Sequence, residues 1–155
     1  MLRLAVLSLV AVAALVLPGC GKPEDRIVDK WVIDEGSTEE AFEKKVLDDA
    51  KAKEKSAGNP VDEAEIRSQV KFVLAMVIGA NPVYEIKPDK TFSRQMRGEQ
   101  EQTGTWRFES PNFYFSAKGS DVAVGEVRSG LLWISEISNG KRTKDDLEIV
   151  MKPAP

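Results

Sequence analysis

From Val83 onward, apolar and polar residues alternate with a period of two, the signature of half-buried strands. The segments VYEI, TFSRQM, TGTWRFE, NFYFSA, DVAVGEV, LLWISEI and DLEIVM predict seven short strands. Turn-forming residues separate them: Pro88-Asp89-Lys90, Ser110-Pro111-Asn112, Lys118-Gly119-Ser120, Ser129-Gly130 and Asn139-Gly140. Links this short require antiparallel neighbours, because parallel pairs need long crossovers. Upstream, the β-branched run IVDKWVI, residues 27–33, predicts one more strand. The expected fold is mainly β (α+β): an eight-stranded antiparallel meander that closes into a barrel and so removes its exposed edges. An open sheet wrapped by helices is the alternative.

Between the first and second strands the period changes to that of a helix, which predicts a two-helix insert at about 37–79. Ser37 with Glu40 three residues later makes a capping box, followed by Phe42, Val46, Leu47 and Ala50 on one face. AGNP, residues 57–60, breaks this helix, and Asn59 and Pro60 suit the cap and first position of the next. That helix carries the stripe Ile66, Val70, Val73, Leu74 and Val77, and Gly79 predicts its end. Its second half, FVLAMVIGA, is apolar nearly all round, which predicts burial; the alternative is a lid or docking surface. The charged run KAKEK, residues 51–55, reads as a solvated helix end.

The first 19 residues follow a different pattern. Arg3 precedes an uncharged run from Leu4 to Leu17, too short for the roughly 20 residues a membrane-spanning helix needs. A basic residue followed by such a run predicts a secretory signal peptide. Leu17, Gly19 and Cys20 then resemble the lipobox of bacterial lipoproteins, in which the leader is cut before a cysteine already carrying diacylglycerol. The resemblance implies cleavage between Gly19 and Cys20, lipidation of Cys20, and a tether at residues 20–26 ahead of a domain at 27–155. Cys20 is the chain's single cysteine. An odd cysteine in an exported chain suggests a partnered or reactive thiol, and a thioether-linked lipid supplies the partner. Each buried acyl methylene contributes about 0.8 kcal/mol, so two or three chains hold firmly where one does not. By the sorting rule of Gram-negative lipoproteins, Gly21 in place of Asp implies the outer membrane, facing the periplasm.

Composition then removes whole classes of chemistry. The net charge of −3 becomes −4 when Arg3, the single charge in the leader, is lost, and no basic cluster offers a nucleic-acid surface. There is no histidine, which removes the commonest general base and metal ligand. The paired carboxylates Asp48-Asp49 and Asp145-Asp146 are sequence neighbours whose side chains diverge, and Asp34, Glu35 and Asp121 fall in no EF-hand pattern. These observations predict a non-enzymatic protein with no cofactor, no metal and no nucleic acid.

Three segments together resemble the small lipocalin-like domains of many bacterial lipoproteins: DKW at Asp29–Trp31, YEIKPDKTF at Tyr84–Phe92, and TGTWRFE at Thr103–Glu109 with its Gly-x-Trp. The resemblance implies a small barrel and a capacity to bind something apolar; it carries no catalytic residue. Trp31, Trp106 and Trp133 lie mid-strand, where large aromatics fill a barrel as plugs; a shelf for one ligand is the alternative. Arg94 shares a face with Phe92 and Met96, so an inward apolar face buries its charge, with Glu85 as the expected partner.

Two functional readings follow. In the first, the lipid-anchored barrel takes a small apolar or amphipathic molecule at its mouth, with Phe72, Leu74, Met76, Val77 and Trp106 as ligand or lid surface. In the second, it is an envelope interaction module that docks another protein and has no small-molecule ligand. A cavity beside residues 72–80 favours the first reading. An uncovered apolar face on the second helix keeps the second alive.

Overall fold

The computed structural model describes residues 22–57, 62–137 and 147–155. The expected leader with Gly19 and Cys20, the expected Asn59-Pro60 cap and the expected Asn139-Gly140 turn lie outside the described residues. A 3-10 turn at Pro23–Arg26 leads into strand β1 (Lys30–Ile33), then helices α1 (Glu35–Ala57) and α2 (Glu63–Ala80). Strands β2 (Val83–Ile86), β3 (Thr91–Gln95), β4 (Gln102–Glu109), β5 (Asn112–Ala117), β6 (Ser120–Arg128), β7 (Leu131–Glu136) and β8 (Ile149–Pro153) follow. Each strand pairs antiparallel with the next, and β8 pairs with β1, so the meander closes into an eight-stranded barrel with the two-helix insert between its first two strands.

Two of the hairpins show why the turns are where they are. Ala117 pairs with Ser120 and Arg128 with Leu131, which leaves two-residue loops at Lys118-Gly119 and Ser129-Gly130. All four loop residues have positive φ, from 51° to 81°. This is the primed-turn geometry that matches the right-handed strand twist and selects glycine at the second position.

The up-and-down order gives the barrel two unlike ends. At one lie the 3-10 turn and the β2–β3, β4–β5 and β6–β7 links. At the other lie the helices and the β3–β4 and β5–β6 links. The first end is sealed. Ile27 is fully buried, the Trp31 indole donates to the Ile27 carbonyl at 2.8 Å, and Trp106 donates to Lys87 O at 2.9 Å. Lys90 lies 3.9 Å over the Trp106 ring and pairs with Glu24 of the 3-10 turn. The predicted first strand is therefore shorter than 27–33, because Ile27 serves as the plug to which Trp31 bonds. Above it Tyr84, Phe92 and Phe115 meet with ring centroids 5.2–6.4 Å apart, filling the middle of the barrel.

The helix boundaries differ from expectation at three caps. Helix α1 begins at Glu35, one residue after β1, so Asp34 is its cap: the Ser37 hydroxyl and, across to β8, Lys152 bond its carboxylate and hold it below the usual carboxylate range. Ser37 thus donates from the first turn instead of capping it. Helix α2 is capped by Asp62, whose Oδ1 accepts from the Ala64 and Glu65 amides at 2.9 and 3.1 Å. It runs past Gly79 to Ala80 and ends where Asn81 turns left-handed at φ 46° ahead of Pro82. Thr38 fixes α1 to the barrel. Where β1 stops, its hydroxyl accepts from Val150 N and donates to Val150 O, both at 3.0 Å, and so takes over the vacated ladder position of β8.

Helix α2 packs on α1, not flat on the sheet. Val70 and Leu74 are buried, but Phe72 is 66% and Met76 54% exposed. The burial expected for the whole of FVLAMVIGA is therefore overturned. One side of α2 covers α1, and the opposite apolar side faces outward.

Candidate functional site

The end of the barrel that carries the helices is open. A cleft of about 270 Å³ lies between the last turn of α2 and the barrel rim, lined by Met76, Val77, Ala80, Pro82, Tyr84, Met96, Glu136 and Ile149. Each wall has a local cause. The Ala80 carbonyl, free at the end of α2, accepts from the Arg97 amide at 2.7 Å and ties the segment after β3 against the helix. Gln95 braces the same segment through the Met96 and Glu99 carbonyls at 3.1 and 2.9 Å. Met96 is thereby held at the rim, where it lines the cleft together with Met76, and Ile149 enters as the first residue of β8.

Below the apolar walls is a polar layer. Tyr84 pairs in register with Arg94, and Arg94 with Gln102, which places all three on the inner face of adjacent strands. Glu136, paired with the fully buried Ala123, joins them from β7. Arg94 Nη1 donates to Glu136 Oε1, and its guanidinium lies beside the Tyr84 phenol. Burial pushes the Tyr84 pKa up to about 12, so the phenol keeps its proton. Burial opposes the Arg94 charge, but Tyr84 and Glu136 outweigh it and raise its pKa. The Gln102 side-chain oxygen is buried with no hydrogen-bond partner.

Arg94 thus does enter the barrel, but its partner is Glu136 and not Glu85. Glu85 pairs in register with Ser93, on the outer face, and its carboxylate lies 3.7 Å from Lys87. Alternation carries the signal for this: Tyr84 and Ile86 take the inner row, so Glu85 must point out. Glu136 escaped the sequence reading because nothing local joins two residues 42 positions apart; closure of the barrel does.

Of the residues expected to form a ligand or lid surface, Met76 and Val77 line the cleft. Leu74 is buried, Phe72 lies exposed on α2 beyond the lining, and Trp106 sits at the sealed end as a plug. Of the candidate carboxylates, Asp48 is engaged by Lys44 at 2.7 Å, Asp49 by Lys45 at 3.1 Å and Asp34 by Lys152 at 3.0 Å, while Asp145 and Asp146 lie outside the described residues. Asp121 takes both terminal nitrogens of Arg107, at 2.6 and 2.8 Å. Among the described residues no group of three metal-ligating side chains comes together, and no helix is long and apolar enough to cross a membrane. No protein-family model, curated protein or solved structure matches the chain.

Proposed function

We propose that the protein is a non-enzymatic, lipid-anchored binding module of the bacterial envelope that takes a small apolar or amphipathic molecule at the mouth of its barrel. The observation that carries this reading is the cleft beside α2, apolar on its walls and polar at its base, the usual composition of a small-molecule site. The lipobox-like Leu17, Gly19 and Cys20 support the anchor. Chain direction adds an orientation. Lys22 enters at the sealed end, next to the 3-10 turn, so a lipid on Cys20 holds that end toward the bilayer and turns the mouth away from it. The exposed Phe72 and Met76 then face away from the protein's own membrane, which favours docking of another envelope protein as the second reading.

The anchor and the cleft are tested separately. Cys20→Ser is expected to move the protein from the membrane fraction to the soluble fraction; continued membrane association would remove the lipid anchor from the proposal. Ala80→Trp, which fills the cleft, is expected to abolish the small molecule that native mass spectrometry finds with the wild-type chain. A wild-type chain carrying nothing, or equal occupancy in the two chains, would leave protein docking as the better reading.

A further inference from the structure

The charge that the cleft presents to a visitor is negative. Glu136 lines the cleft with its side chain 59% exposed, whereas the Arg94 side chain is 16% exposed and lies behind it. Arg94 holds Glu136 Oε1, and Oε2 makes no hydrogen bond among the described residues. A ligand anion would meet the carboxylate first and would have to break the Arg94–Glu136 pair to find a positive charge. A ligand cation meets an acceptor already oriented by that pair, with no competing cation among the residues that line the cleft. The acidic chain, at −3, favours the approach of a cation as well. The cleft's 270 Å³ corresponds to about nine water-sized groups, which bounds the ligand to a small molecule.

From this placement we propose that the cleft selects an amphipathic molecule whose polar end is a protonated amine, held by the Glu136 carboxylate, with its short apolar body against Met76, Val77, Ala80 and Ile149. The inference rests on the reading of the mouth as a ligand site and names the chemistry of that ligand. An ammonium–carboxylate contact in a partly desolvated cleft joins two opposite full charges, an attraction that an alcohol's hydrogen bond to the same carboxylate lacks.

The methionines give a local readout, because Met76 and Met96 line the cleft while Met151 is fully buried in the barrel core. The full chain in lipid nanodiscs, labelled with carbon-13 at the methionine methyl groups, is titrated with n-pentylammonium, n-pentanol and pentanoate. The expected result is that pentylammonium shifts the Met76 and Met96 resonances, leaves Met151 in place, and half-saturates at about tenfold lower concentration than pentanoate. Glu136→Gln is expected to erase that preference and Glu136→Asp to retain it, with an unshifted Met151 signal showing that each variant is folded. If pentanoate binds as well as or better than pentylammonium, or if Glu136→Gln keeps the preference, the amine inference is overturned while the mouth stands as a ligand site. If none of the three probes moves Met76 or Met96, both fall together.

Discussion

Replacing Gly104 with alanine is expected to cost about 3 kcal/mol, at or above the upper end of what overpacking usually costs. A Cβ built at this position would stand 2.1 Å from the Ser116 carbonyl oxygen and 2.7 Å from Phe92 Cε1. The carbonyl is backbone in the neighbouring strand β5 and cannot swing aside as a side-chain tip can. Relief requires β4 and β5 to part, and that loosens Trp106 against Phe113 two residues further on. Small domains are stable by about 5–15 kcal/mol in total, so a large share of the stability is at stake. The urea midpoint of Gly104→Ala should fall well below that of wild type, and Gly104→Val should fail to fold. Gly36→Ala is the matched control: nothing lies within 4 Å of a Cβ there, in the first turn of α1, and the change should be neutral or slightly stabilising. An unchanged midpoint for Gly104→Ala would mean that the two strands are not packed as closely as described.

The same glycine shows which parts of the fold were legible. Gly-x-Trp stood out in the sequence as a strand motif, and its physical content is that Gly104 permits close approach while Trp106, on the same inner row, plugs the sealed end. The strands from Val83 to Glu136 were readable because period-two alternation and two-residue turns are local signals. NFYFSA matches β5 to the residue. What the sequence did not disclose depends on geometry that closes over long distances. Apolarity all round α2 predicts burial, yet a helix can bury only the side its neighbour covers; α2 packs on α1, and of its residues only Val70 and Leu74 are buried. The site was half legible in the same way. Met76 and Val77 follow from the apolar run, but Glu136 is assigned only once β7 and β3 are known to face each other across a closed barrel. Trp106 reads from the sequence as a plug before a ligand shelf, but alternation alone keeps it among the candidate ligand residues, because it says that a residue points inward without saying how far along the barrel it lies. Its distance from the mouth is fixed by strand direction, and the indole bond to Lys87 places it at the sealed end.

That sealed end also sets the other large expected effect. Trp31→Ala should destabilise the protein by about 4 kcal/mol, within the range for large aromatic deletions in cores. Trp31 is 2% exposed, pairs in register with the buried Tyr84, and its indole N–H bonds Ile27 O at 2.8 Å. Alanine removes the ring that packs the base of the barrel and leaves the Ile27 carbonyl unpaired where water is scarce. Trp31→Phe separates the two contributions. It keeps most of the packing but loses the donor, for which an unsatisfied buried acceptor costs about 1–3 kcal/mol. The expected order of urea midpoints is therefore wild type, then Trp31→Phe, then Trp31→Ala. Amide hydrogen exchange adds a positional check. Protection of Trp106, whose amide bonds Lys90 O at 2.8 Å in the same plug, should fall with Trp31→Ala by more than that of Arg97 at the mouth. If Trp31→Ala shifts stability by less than about 1 kcal/mol, or loosens the mouth before the base, Trp31 is not what shuts the end that carries the 3-10 turn.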